Sequence, residues 1–370
     1  MKQRIDFTQG NMLRSIVLFS IPLITGELLQ NLYNSVDALV VGNFVNQYAL
    51  AAVTVCGVIA NMVVNFFNGM SVGANIVVAK ASGSGDDTRL HLAVRAAFSF
   101  GVVLGVVLSV LGILAVPQLL RFAGTQEDYF DAAQVYLRIY LAGLMFTVIY
   151  NNAAGILRAL GRADIPFRIL VVSCGMNIVL DLLLTGALHM GIAGVAQRLD
   201  RFVILPAKSF GITMTTCVGQ NLGAGHYERI RKGEQSCIAV ALGVTLALSG
   251  IVYFFAPQCV ALFNAESEVV VVGVAMMHVL APMFWIMAFR EVLLGVLRGC
   301  GHSLGPTILS LTGMVGVRQV FLAFTMRKSA AVEYIYDCYP VACAATLLLL
   351  AVYYLIVRKR LLPNGKIGSR

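Results

Sequence analysis

The sequence predicts an all-α integral membrane protein: a two-lobed helical bundle of about ten transmembrane helices with a parallel internal repeat. Three observations carry this. Of 370 residues, 59% are hydrophobic and only 12% charged, where a soluble domain carries about a quarter charged residues. Stretches such as FGVVLGVVLSVLGILAV (100–116) and ATLLLLAVYYLIV (345–357) are uncharged and apolar, and a spanning helix needs roughly 20 predominantly apolar residues. Residue types also recur at a constant offset of 140 positions. The continuous apolar runs argue against a β-barrel, whose strands alternate apolar with polar.

Ten apolar segments follow in order. The first, 15–42, carries Glu27, Asn31, Asn34 and Asp37 and no small-residue cleavage site, so it is expected to stay as a spanning helix rather than leave as a signal peptide. The second (48–80) and sixth (202–223) each run into a glycine pair, Gly83 and Gly85 or Gly223 and Gly225. We read QNLGAG (220–225) as a helix-ending turn ahead of a basic loop. It lacks the GK[ST] ending and the preceding strand of a nucleotide-binding loop. The third (92–119) and seventh (236–262) carry Pro117-Gln118 and Pro257-Gln258. The fourth (132–156) and eighth (268–297) end in GILRALGRADIP (155–166) and GVLRGCGHSLGP (295–306). The shared RxxGxxxxP reads as a helix exit whose proline opens the next helix. The fifth (166–188) and ninth (306–326) begin at those prolines, and the tenth covers 338–357.

The repeat leaves the first and tenth segments without counterparts. Both absences meet at MGIAGVAQRLDRF (190–202). A six-plus-six architecture that lost its sixth and seventh helices there would produce this pattern. The expected lobes are 1–196 and 197–370, five helices each, related by an axis along the membrane normal.

The net charge of +9 belongs to loops rather than to a nucleic-acid surface. Of 27 Lys and Arg residues, 18 fall on one side of the ten-span topology and five on the other. The positive-inside rule then places both termini in the cytoplasm, and the expected location is the plasma (inner) membrane. The eight cysteines form no CxxC pair and have no His partner at metal spacing, so they read as small core or lipid-facing residues.

Two motifs carry a family resemblance. VGQNLGAGHYERIRKG (218–233) resembles the signature after the second helix of each half in the multidrug and toxic compound extrusion (MATE) transporters, and IPLITGELLQNLYNSVDALVVGNFV (21–45) resembles their opening helix. RxxGxxxxP at 158–166 and 298–306 also fits. The resemblance covers about residues 10–360 and departs at 190–202, where typical members have two more helices. It implies a two-lobed antiporter, not an enzyme, that exports cationic or amphipathic compounds in exchange for protons or sodium. It implies no cofactor, and the chain is expected to act as a monomer.

The first segment holds the candidate chemistry. A charged Asp at mid-bilayer costs about 2.5–3.5 kcal/mol on insertion scales, and such residues usually face a bundle interior or a water-filled cavity. At 100° per residue, Glu27, Gln30, Asn31, Asn34 and Asp37 share one polar stripe. In the fifth segment, NIVLDLLLT (177–185) stacks Asn177 and Asp181 at i and i+4. The resemblance implies that Asp37, Asn177 and Asp181 form a cation site in the N-terminal lobe. Two carboxylates in one poorly solvated pocket cannot both ionise cheaply, so the pair would load a proton, or a sodium ion if both stay charged. Glu27, Gln30, Asn31 and Asn34 are the candidate substrate-lining residues. Arg290-Glu291 reads as a paired charge or a C-lobe gate. An inactive remnant and a lipid-linked sugar flippase are the alternative readings.

Overall fold

The computed structural model describes residues 4–44, 56–57, 59, 63, 71–185, 196–261, 267–325 and 333–361; the side chains of 32–44 and 177–185 are among those outside the description. The regular structure of the described residues is helical, with no strand among them. They form α1 (Met12–Phe44), α2 (71–83), α3 (Asp87–Phe122), α4 (Phe130–Ala159), α5 (Asp164–Thr185), α6 (Ala196–Gly223) and α7 (Tyr227–Phe254). These are followed by α8 (Ala256–Ala261), α9 (Ser267–Leu280), α10 (Phe284–Gly299), α11 (Leu304–Leu311), α12 (Arg318–Thr325) and α13 (Glu333–Leu361). A π-helical turn, Thr312–Val317, joins α11 to α12. Seven stretches among the described residues are long and apolar enough to cross a membrane. Large apolar side chains such as Leu114, Ile139, Leu304 and Leu348 stand exposed on them, as lipid-facing helices require.

The turns predicted from the repeat recur as backbone geometry. α6 closes with Ala224 N donating to Gln220 O at 3.0 Å and His226 N to Asn221 O at 2.8 Å, around Gly225 at φ +74°. Its first copy turns at Gly85, φ +70°. α4 closes with Arg162 N to Leu157 O at 2.8 Å, and α10 with His302 N to Leu297 O at 3.0 Å, around Gly161 (φ +82°) and Gly301 (φ +96°). These long-reach amide bonds cap the last carbonyls, and the left-handed residue they need is one that only glycine adopts without strain. In the α4–α5 turn Arg162 donates to both carboxylate oxygens of Asp164, at 3.0 and 3.3 Å. That bond holds the Asp164 carboxyl below the usual carboxylate range.

The chain divides into two compact units. One comprises Met1–Arg4 and Leu32–Gly191, the other Ile5–Asn31 and Ile192–Arg370. The opening half of the first helix, through Asn31, packs with the second unit. The physical reason is a set of polar and aromatic contacts to α6 and α7, described below.

In the first unit, α3 and α4 form the main pair. The buried residues of α3 include Ala93, Ala97, Gly101, Gly105 and Ser109, a small residue at every fourth position. Small-residue stripes let two backbones approach closely. A Cβ on Gly105 would lie 2.7 Å from a Val148 methyl. Asn152 of α4 donates to Ala97 O at 2.8 Å. Leu137, Leu141, Leu144 and Val148 of α4 fill the core against Val116 and Leu120.

The second unit repeats that stripe on α7. Gly233, Cys237, Ala241, Thr245 and Ser249 are buried, each 140 positions after its α3 counterpart. α6 packs along α10 through glycines. A Cβ on Gly295 would lie 2.3 Å from Gly211 O, and one on Gly299 2.6 Å from Val218 Cβ. Thr215 Oγ1 completes the crossing by donating to Gly295 O at 3.2 Å. α13 packs on α10 and on the π-helical turn, where Gly313 leaves room for Thr346.

Candidate functional site

α1 carries the residues of the predicted polar stripe. Glu27 and Asn31 are half-buried and Gln30 is exposed. Asn31 Nδ2 donates to Glu27 O at 2.8 Å, a bond within the helix that holds the Asn31 amide over the preceding turn. The backbones of Asn34 and Asp37 continue α1, and those of Asn177 and Asp181 lie on α5. The side chains of these four lie outside the described residues. Asn34 and Asp37 belong to the first unit, as do Asn177 and Asp181; Glu27, Gln30 and Asn31 belong to the second.

The opening of α1 is fastened to the second unit by residues of the 218–233 motif. Phe7 is fully buried and meets Phe19 edge-on, ring centroids 5.3 Å apart. Its N–H donates to Gln220 Oε1 at 3.1 Å. Its carbonyl accepts from Asn221 Nδ2 at 3.0 Å and from the Arg229 guanidinium at 3.1 and 3.2 Å. Arg229 Nη2 also donates to Gln9 O at 2.9 Å and Gly10 O at 3.0 Å. Further along, Ser20 and Thr213 share a buried hydroxyl–hydroxyl bond of 2.8 Å. Met12 Sδ lies 3.6 Å from Cys217 Sγ.

Among the described residues of the second unit, two carboxylates are buried. Glu291 pairs with Arg290 at 2.7 Å, and both residues are at least nine-tenths buried. This matches the paired-charge reading of Arg290-Glu291. Glu234, on α7, accepts from Tyr354 Oη of α13 at 2.6 Å. Sequence reasoning missed this pair, because a carboxylate two turns into a helix that opens YERIRKGE resembles a solvated charge. Arg318 lies 4.4 Å over the ring of Tyr339, a cation–π contact that shelters its charge. His278 packs at 4.7 Å on Tyr253. The eight cysteines are free thiols, all buried except the half-buried Cys259, as expected of small packing residues.

Comparison with known proteins places this architecture. The MatE family model matches twice, at residues 22–183 and 182–324, so each half of the internal repeat is one family unit. The probable multidrug resistance protein YpnP of Bacillus subtilis is 24% identical over 397 residues, covering 86% of this chain and 89% of the relative. YoeA, another probable multidrug resistance protein of that bacterium, is 23% identical over 441 residues, covering 94% of each. Among solved structures, the fold is similar to a multidrug resistance MATE family transporter in its outward-facing conformation. The TM-score is 0.83 at 20% identity, covering 98% of each chain. A MOP superfamily transporter from Pyrococcus furiosus gives a TM-score of 0.84 at 19% identity, covering 99% of this chain and all of the other. In the YpnP alignment, 86% of 370 residues is about 318, about 80 short of the 397 aligned positions. That shortfall holds two spans of roughly 20 residues with their loops, which agrees with a chain shortened by two helices.

Proposed function

The chain belongs to the MatE family, and on that premise we propose that it is a cation-coupled antiporter exporting cationic or amphipathic compounds by alternating access. The carrying observation is the polar stripe on α1, with Glu27 and Asn31 half-buried on a helix otherwise rich in apolar residues. In this reading Asp37, Asn177 and Asp181 hold the coupling ion, and Glu27, Gln30, Asn31 and Asn34 line the substrate route. A carboxylate that binds either the coupling cation or the outgoing cation, but not both, links the two fluxes through their shared charge. Proton coupling is favoured over sodium, because the sixth helix, a source of sodium ligands in the resembling family, is among the two lost. The protein works as a monomer in the plasma (inner) membrane.

Efflux of a fluorescent organic cation from proteoliposomes tests this. Export should follow an imposed pH gradient and survive sodium removal. Asp37→Asn and Asp181→Asn should abolish it while the protein still inserts and purifies as a folded monomer. Wild-type rates in either variant would remove that residue from coupling. The loss of about 80 aligned positions supports a second reading, a non-transporting remnant. A folded wild-type protein that exports nothing under either gradient would establish it.

A further inference from the structure

We infer that Gln220, Asn221 and Arg229 form a clamp whose ligand is the backbone of residues 7–10, and that this clamp positions α1 for transport. The inference rests on the transport reading for its kinetic consequence but not for its structural one. Arg229 is half-buried and directs its forked guanidinium at the carbonyls of Phe7, Gln9 and Gly10. Three carbonyls from one short segment make a ready acceptor nest for a cation, and charge-assisted bonds of this kind are roughly twice as strong as neutral ones. Gln220 accepts the Phe7 N–H and Asn221 joins Arg229 on the Phe7 carbonyl, and the buried Phe7 ring supplies the apolar anchor. The segment is thereby held by side chains more than 200 positions away in sequence.

The internal repeat supplies the contrast. The first copy keeps the turn but not the clamp. Lys80 and Ala81 stand where the second copy has Gln220 and Asn221. Arg89, the counterpart of Arg229, pairs with Asp86 three residues away and its side chain is 79% exposed. Two copies with the same backbone turn thus differ in the side chains that face a strap. The helix that would follow a second strap is one of the two this chain lacks. A general need to finish a helix would have kept both copies alike; holding a particular segment explains why only one is equipped.

The clamp acts on the helix that carries the polar stripe. α1 belongs to the second unit through Asn31 and to the first from Leu32 onward. Fastening residues 7–10 fixes the start of that helix against α6, with Met12–Cys217 and Ser20–Thr213 as further ties along it. Arg229 is therefore a positioning residue: it sets where Glu27 and Asn31 sit without touching ion or substrate.

Hydrogen exchange read by mass spectrometry on the full chain in nanodiscs tests the structural claim. In the wild type, the amide of Phe7 should be protected. Arg229→Ala should speed exchange across residues 5–11 by about tenfold or more, and across 12–31 by less. Arg229→Lys, which keeps the charge but not the fork, should fall between. Free exchange at Phe7 in the wild type, or unchanged exchange in Arg229→Ala, overturns the clamp. In proteoliposomes, Arg229→Ala should lower the maximal export rate about tenfold with KM nearly unchanged, the signature of a lost step other than ground-state binding. Arg89→Ala should leave both unchanged. Removing residues 2–10 should reproduce the Arg229→Ala defect, and combining the two should add nothing, because both delete one interaction. Additive losses, or a loosened strap with a wild-type rate, overturn the positioning role. The exchange measurement requires no transport, so it tests the clamp even in a protein that exports nothing.

Discussion

Glu234 and Tyr354 show how a buried carboxylate is tolerated in this bundle. Oη of Tyr354 donates at 2.6 Å, and Glu234 retains only 8% of its exposure. Leaving such a group without its donor costs about 1–3 kcal/mol, whereas replacing both partners by apolar groups can be nearly neutral. The repeat identifies the apolar replacement: the first-copy counterpart of Glu234 is Val94. Tyr354→Phe should therefore lower stability by about 1–3 kcal/mol, read from thermal unfolding in detergent. Glu234→Val combined with Tyr354→Phe should recover most of that loss. If the double variant is as unstable as the sum of the single ones, the two side chains are not energetically coupled. At this scale sequence reasoning reached the pairing of Arg290 with Glu291 as one of two readings, because charge in an apolar run is visible from the neighbours. It failed at Glu234 and at Arg229, which stand in a basic, polar stretch that reads as solvated. What buries them is contributed by α13 and by residues 7–10, at separations no local pattern records.

Helix pairing in both units depends on small residues at fourfold spacing. The helix turns and the glycine and proline signals were legible because they are local, and the constant 140-residue offset let each copy confirm the other. The stripe Ala93, Ala97, Gly101, Gly105, Ser109 and its copy on α7 lie at that same offset, so the repeat fixes packing as well as turns. The half of α1 that packs with the second unit was not legible. Its apolar pattern says that it spans a bilayer, and nothing in that pattern says which neighbour it meets. α6 crosses α10 backbone against backbone. A Cβ at Gly295 would meet the backbone oxygen of Gly211 at 2.3 Å, and backbone cannot rotate aside as a side chain can. Gly295→Ala should cost at least the roughly 1–3 kcal/mol typical of overpacking and reduce the folded yield. Gly143→Ala, in α4 with nothing within 4 Å of the new methyl, is the matched control and should change stability by less than about 0.5 kcal/mol. Equal behaviour of the two variants would mean that the α6–α10 contact is looser than the glycines imply.

Topology tests the shortened architecture as a whole. Helices lost in a pair leave every later span in its former orientation, so the basic loops stay on one side; a single lost helix would invert everything after the junction. The charge distribution distinguishes these cases. With ten spans, 18 of 27 basic residues share a side with both termini and five lie opposite. An inversion after residue 190 would carry Arg229, Arg231, Lys232, Arg298 and the basic C-terminal end to the other face, against the positive-inside bias. The predicted outcome is that a fluorescent protein fused after Arg370 matures and glows, while alkaline phosphatase fused there stays inactive. Phosphatase inserted after Lys328, between α12 and α13, should be active. The opposite result at the C-terminus with an unchanged N-terminus would mean an odd number of crossings. One of the ten apolar segments would then lie within the membrane without spanning it, and the most polar of the apolar helices, α6, would be the first to question. Its buried Ser209, Thr213, Gln220 and Asn221 bond to Ser20, to the Phe7 backbone and to carbonyls of α6 itself rather than facing lipid, which is how so polar a helix can still cross.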